Sequence, residues 1–217
     1  MYELPLFPLN TVLFPGMPLH LYIFEDRYKK MVSYCRRTNN AFGVVLIQSG
    51  LEAHRPLAKP YHIGCTAHIT HIQPLKQGRI NLAAIGLERF KVLTLRQDQP
   101  YLIGVVERFP LKIEEPVGLE KAQEKLRPWL KRYIQIISEA QKEEYNFGQF
   151  PSEPISVAHL AAMLLQIPAE QKQDLLETED AVILIDKLYV LYKREVALLD
   201  RMLSKENDQE GIPFSMN

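Results

Sequence analysis

The stretch Glu3–Glu25, ELPLFPLNTVLFPGMPLHLYIFE, decides the fold. It is almost wholly apolar, but Pro5, Pro8, Pro15 and Pro18 interrupt it every few residues. Nothing from Tyr2 to Glu25 is basic, so a secretory signal's positive n-region is missing. The prolines also break every apolar run short of the ~18 residues a membrane span needs. Proline lacks a backbone donor and belongs at strand starts, edges and bulges. ELPLF, TVLF and PLHLYIF therefore read as very short strands, with Pro15-Gly16 as the turn before the third.

Downstream the period changes. In Glu25–Arg37 the residues Tyr28, Met31, Val32 and Cys35 recur at three and four, a helical stripe that Asn39-Asn40 ends. FGVVLIQ (42–48) is a buried strand by its β-branched run, and a proline-containing loop follows at 51–62. IGCTAHITHIQPL, RINLAAIGLERF, KVLTLRQ and YLIGVVERF complete the set, with Lys76-Gln77-Gly78 as a hairpin turn. Seven or eight short strands with one helix predict a closed or nearly closed β-barrel.

After the linker PLKIEEPVG, strand signals stop. Leu119, Ala122, Leu126, Trp129, Tyr133, Ile136, Ile137 and Ala140 form a helical stripe. Pro128 lies inside it and predicts a bend near Leu126–Pro128. A loop follows at 145–154, then a helix over 156–166 and a short one through Leu176. Thr178 reads as the N-cap of a long helix to about Ser204, with Glu179 and Asp180 in its first turn. The chain is thus α+β: a barrel over 1–112, a linker at 113–117, a helical part over 118–205 and a frayed tail at 206–217.

The bulk properties fit this division. The 217 residues are 47% hydrophobic, enough for a sizeable core. Formal net charge is zero, but residues 1–116 carry 14 Lys/Arg against 9 Asp/Glu, and the remainder 12 against 17. A swing from +5 to −5 falls short of the dense basic patch of a dedicated nucleic-acid binder. Two cysteines, Cys35 and Cys65, form no disulfide framework and suggest a reducing, cytoplasmic setting.

No catalytic constellation emerges. None of the ten glycines fits a phosphate-cradling loop, and neither G-x-S-x-G nor H-E-x-x-H occurs. Ser204-Lys205 has nothing that would make it a nucleophile and base. Cys65-x-x-His68-x-x-His71 has zinc-compatible chemistry. On a regular strand, however, Cys65 and His71 face one way and His68 the other. These positions read more simply as barrel-surface histidines and a buried cysteine. Lys29, Lys30, Arg36, Arg37, Arg89 and Arg96, with nearby tyrosines, keep RNA binding open as an alternative. Neither a cofactor, a metal nor catalysis is expected.

Three blocks carry a family resemblance. ELPLFPLNTVLFPGMPLHLYIFEDRYKKMV resembles the opening of the Lon protease amino-terminal domain family. IGCTAHITHIQPLKQGRINLAAIGLERFKV is similar to its middle block, and LAAMLLQIPAEQKQDLLETEDAVILIDKLYVLYKREVALL to its helical part. They occur in the family's order over roughly Tyr2–Leu203. Departures are Asp26 where proline is frequent, His68 and His71 where acidic or aliphatic residues are common, and Pro128. The resemblance implies a PUA-like barrel followed by a helical bundle, acting as a stand-alone substrate-binding module without ATPase or protease function. Implied partners are unfolded or tagged polypeptides, with a separate ATP-dependent protease as a further candidate and no membrane. Apolar rim residues and any unpaired strand edge would capture an extended peptide. Phe14 and Met17 flank the Pro-Gly turn and are rim candidates, although both also fit a core. Tyr145, Phe147 and Phe150 form a second aromatic candidate patch, unless that loop packs back onto the helices.

Overall fold

The computed structural model describes residues 1–38, 41–50, 59–141 and 150–210. Asn39-Asn40, most of the 51–62 loop, Tyr145, Phe147 and the last seven residues lie outside them. The elements in order are β1 (Tyr2–Leu9), β2 (Pro18–Ile23), α1 (Asp26–Arg37), β3 (Ala41–Ser49), β4 (Lys59–Pro74), β5 (Ile80–Arg96) and β6 (Leu102–Arg108). They continue with α2 (Pro116–Gln141), α3 (Pro154–Leu164), α4 (Ala169–Leu176) and α5 (Ala181–Glu210). The fold is α+β. Two compact units divide the chain: Met1–Lys112 with Ala162–Glu179, and Ile113–Ala161 with Asp180–Asn217. Ala162–Glu179, which the sequence places in the helical part, thus contributes to the first unit.

In the first unit β5, β4, β3, β1 and β6 are hydrogen-bonded in that order, and β6 returns to β5. This closes a five-stranded barrel. β2 pairs with the first half of β5, from Pro18↔Ile85 to Ile23↔Ile80, while β6 takes the second half. Among the described residues β2 has β5 as its only strand partner. β2 is therefore an edge strand attached to a closed barrel.

Among the described residues the strand count is six rather than seven or eight. RINLAAIGLERF and KVLTLRQ form one 17-residue strand, β5, which a register shift between Val92 and Thr94 bends without breaking. TVLF is not a strand, yet Val12, Leu13 and Phe14 are buried. ELPLFPL is one strand through both prolines. Its neighbours are staggered: Tyr2–Leu6 pairs with β6 and Leu6–Leu9 with β3. Each proline thus sits where β1 has only one ladder to serve, the condition of an edge.

One core cluster joins α1 to the strands. Tyr28, Met31, Val32 and Cys35 pack with Phe7, Phe42, Leu82 and Ala84, and Phe7 stacks on Tyr28 at 3.8 Å between ring centroids. The 3.6-residue period that predicted α1 is the period of this buried face. A second cluster comprises Leu4, Leu6, Val45, Phe90, Val92, Leu102 and Val106. α4 lies against β4, where the Gln173 side-chain amide donates to the Ile63 carbonyl at 3.0 Å. Arg89, only 5% exposed, donates through Nη1 to the Leu176 and Thr178 carbonyls, each at 2.6 Å.

In the second unit α2 and α5 run side by side in the same direction. The Gly118 position lies near Val182, Trp129 near Tyr189, and Tyr133 meets Tyr192 edge-on at 5.1 Å. α2 is assigned as one helix, not two pieces, with Pro128 on its exposed side. Thr178 does not cap α5. Its hydroxyl donates back to the Asp174 carbonyl at the end of α4, and Asp180 Oδ1 accepts the Ile183 amide at 2.9 Å. Two polar residues two apart thus serve two different helix ends.

Candidate peptide-binding surface

The Pro15-Gly16 turn is pinned to β5 by a pair of backbone bonds. Gly16 donates to the Gly86 carbonyl at 2.8 Å and Gly86 donates to the Met17 carbonyl at 2.9 Å. A Cβ at Gly86 would stand 2.2 Å from the Phe14 carbonyl oxygen, so only glycine permits this approach. Phe14 is 1% exposed, a core residue and not a rim contact. Met17 is half-buried and leans on the core cluster, which leaves Gly16 at the tip. The prolines and glycine that look like a sticky rim are the device that folds an apolar loop inward.

The exposed apolar side chains lie on the neighbouring ribbon. Along β2 and just beyond it the outward positions are Pro18, His20, Tyr22 and Phe24, at the strand period of two. Those of β5 are Asn81, Ala83, Ile85 and Leu87. Phe24 is 59% and Tyr22 50% exposed, with ring centroids 6.3 Å apart. The Arg79 guanidinium fixes Tyr22 by donating to its hydroxyl at 2.7 Å and lying 5.9 Å from its ring centroid. Ile85 and Leu87 extend this surface to the Pro-Gly turn. Beside it runs the outer edge of β2. An edge strand of this kind carries unpaired amides and carbonyls for another chain.

A bulge reshapes the neighbouring strand. β4 slips register against β5 between Ile69 and His71. Cys65, Ala67 and Ile69 lie in the core, and past the slip Ile72 packs against it. His68 and His71 therefore share the outer side and Cys65 the inner, contrary to the alternation expected of an unbroken strand. The extra residue resets the parity. Burial pushes the Cys65 thiol up to about 12, so it is protonated at neutral pH. No group of three or more metal-ligating side chains occurs among the described residues.

The second aromatic candidate has a structural explanation at its described member. Phe150 is half-buried with the Lys131 ammonium 5.9 Å from its ring centroid. Arg127 donates to the Pro151 carbonyl at 2.6 Å and Gln123 to the Ser152 carbonyl at 3.1 Å. Residues 123, 127 and 131 are one helical stripe of α2, and they strap 150–152 down. The basic residues weighed for RNA are scattered in role. Lys29 pairs with Asp26, Arg89 is buried on two carbonyls, and Arg96 is held by Glu3 and Asp98. Lys30, Arg36 and Arg37 remain as an exposed basic strip of α1. Among the described residues no helix is long and apolar enough to cross a membrane.

Sequence reasoning missed Tyr22, Phe24, Ile85 and Leu87. The signal lay in PLHLYIF, whose aromatics sit at alternate, outward positions.

The sequence model of the ATP-dependent protease La (LON) substrate-binding domain matches residues 3–194. The chain is 28% identical over 177 residues to a Lon protease of Anaeromyxobacter dehalogenans, covering 81% of this chain and 21% of that protein. It is 29% identical over 179 residues to Lon protease 2 of Myxococcus xanthus, covering 82% and 22%. The chain thus spans about a fifth of these relatives' length. A Lon N-terminal domain protein from Xanthomonas campestris superimposes with a TM-score of 0.62 at 26% identity, over 88% of this chain and 98% of that one. The N-terminal domain of Mycobacterium avium complex Lon protease gives 0.67 at 15% identity, over the same shares, a likeness of fold.

Proposed function

The chain belongs to the Lon substrate-binding domain family, and from that premise we propose that it is a non-catalytic module that captures extended polypeptide segments on β2. The observation that carries the proposal is the outer edge of β2, next to Tyr22, Phe24, Ile85 and Leu87. An unfolded segment laid along β2 adds a strand to the sheet. Its backbone pairs with the edge, and its apolar side chains rest on the exposed aromatics at every second position. Main-chain pairing is indifferent to sequence, which suits a receptor for unfolded chains. The ordering cost of the captured segment keeps each encounter weak.

The test is an NMR titration of the chain with an unstructured peptide of alternating apolar and polar residues, without nucleotide. Amide shifts should centre on 18–24 and 79–87. Replacing Tyr22 and Phe24 together by alanine should weaken binding about ten- to thirtyfold, the scale of losing two aromatic anchors. Shifts confined to α1 or α5, or a double variant that binds as well as the parent, would reject β2 as the site.

A further inference from the structure

The outer face of the sheet beside β2 holds a depression of about 510 Å³, lined by His20, Tyr22, His71, Gln73, Asn81 and Ala83 among others. Its construction is regular. The register places His20 and His71 on either side of Ala83, and Tyr22 and Gln73 on either side of Asn81. With strands ~4.8 Å apart, the two imidazoles are rooted about 10 Å from each other, with only a methyl group between them. His71 is on this face because of the bulge after Ile69, the kind of irregularity that re-aims a side chain. Arg79, at the entry to β5, holds the Tyr22 hydroxyl at one border. Among the described residues no carboxylate lines the depression. The Asn81 amide donates to the Gln73 oxygen at 3.4 Å, which occupies that acceptor and leaves the Gln73 amide hydrogens as donors. A floor of small and apolar side chains is therefore ringed by imidazole, guanidinium and amide donors, with no anionic group among the described lining residues.

We propose that this depression reads an acidic side chain of the captured segment, a glutamate whose carboxylate meets the His20 imidazole at the β2 wall of the depression, with His71 across Ala83 acting on it at longer range. This rests on the capture of extended chains along β2. It narrows the preferred client to a segment with a glutamate at an outward position and apolar side chains two residues away. The two-residue interval follows from the strand period, because only every second side chain of a segment on β2 emerges on the depression's side. Glutamate serves better than aspartate, because its longer side chain spans the one strand spacing to His20. The contribution is electrostatic and partly solvated, so it adds selectivity more than strength.

The test uses the full chain and a fluorescent peptide of alternating apolar residues, made with Glu, Asp, Gln or Lys at one central outward position and with an amidated C-terminus. Glu should bind about three- to fivefold tighter than Gln, with Asp between them and Lys weakest, and 0.5 M NaCl should compress the series. The double substitution His20→Ala with His71→Ala should bring the Glu-to-Gln ratio to about one. His20→Glu should invert the series in favour of Lys. Both positions are exposed and line open surface, and circular dichroism should confirm that the variants fold. Equal binding of all four peptides, or a ratio indifferent to the histidines, overturns the acidic reader while leaving capture on β2 standing. A preference that appears only with a free C-terminus overturns it in favour of a terminal carboxylate. Failure of all four peptides to bind overturns both.

Discussion

Arg89 sits where the two chain segments of the first unit meet. Burial draws its pKa down to about 10, which still leaves it ionised at neutral pH. Its charge faces the last carbonyls of α4, the end of a helix that favours a cation. The Phe109 ring covers it, with the guanidinium carbon 4.9 Å from the centroid. Arg89→Met would remove both bonds to the Leu176 and Thr178 carbonyls and should cost about 2–4 kcal/mol in urea unfolding. Arg89→Lys should recover less than half of this, because it loses the planar guanidinium that packs against the Phe109 ring. Full stability of the methionine variant would remove Arg89 from this role. The two cysteines make a pH prediction. Burial pushes Cys35 and Cys65 up to about 12, against an ordinary thiol value near ~8.5. A folded value above the unfolded one means that the associated stability is complete below pH ~8.5 and is lost as pH rises, since the unfolded thiols ionise first. Melting temperature in reductant should therefore fall between pH 8 and 9.5, below the range where the tyrosines enter. The fall should be shallower with both cysteines replaced by alanine. A maleimide reagent should label neither thiol in the native chain and both in urea.

At the scale of elements, helix ends are where side chains decide most. Asp180→Ala removes the acceptor for the Ile183 amide and should destabilise α5 by about 1 kcal/mol. Glu153 accepts from the Ile155 amide and from the amide and hydroxyl of Ser156 at the start of α3. Partial burial alone would raise its carboxyl, but those bonds, with His159 nearby, outweigh it and hold the value low. A depressed folded value contributes stability above the ordinary carboxyl range and loses it as pH falls through the folded value. Between pH 5 and 3, Glu153→Gln should thus flatten the acid-induced fall in helical circular dichroism. α1 was legible residue by residue because its buried face repeats at the helical period, and local sequence is enough to show that. Sheet partners are not local. Nothing in ELPLFPL reveals that β1 changes neighbour at Leu6, so its prolines read as breaks. Nothing in THIQ announces the slip that turns His71 outward. The candidate surface suffered in the same way. Apolar character at Phe14 was plain in the sequence, but whether it faces in or out depended on Gly86, seventy-two residues away.

At the scale of the whole molecule, the first unit is discontinuous, and this bears on how the barrel holds together. The strands close by themselves, yet α4 supplies Leu175 and Leu176, both 2% exposed, and the carbonyls that satisfy Arg89. Burying two leucines is worth about 3–6 kcal/mol, a large part of the 5–15 kcal/mol that holds a typical domain. Gln173 adds a bond to Ile63 at the start of the described β4, and Lys112 pairs with Glu179 at 2.5 Å on the surface. A fragment ending at Lys112 would keep every strand and lose all of these. It should retain β-type circular dichroism but melt well below the first transition of the whole chain. Amides of 59–66 and 88–92 should exchange with solvent at least tenfold faster, while those of β2, remote in register from this region, should be little changed. Adding a synthetic peptide of residues 162–179 should slow exchange at the first two segments again. If the fragment melts with the whole chain and the peptide has no effect, the barrel is self-sufficient and α4 is only laid upon it. If protection at 59–66 and 88–92 depends on the peptide, the barrel is completed by a helix encoded about sixty residues beyond its last strand. Peptide capture on β2 should then survive in the fragment only at temperatures where that fragment is folded.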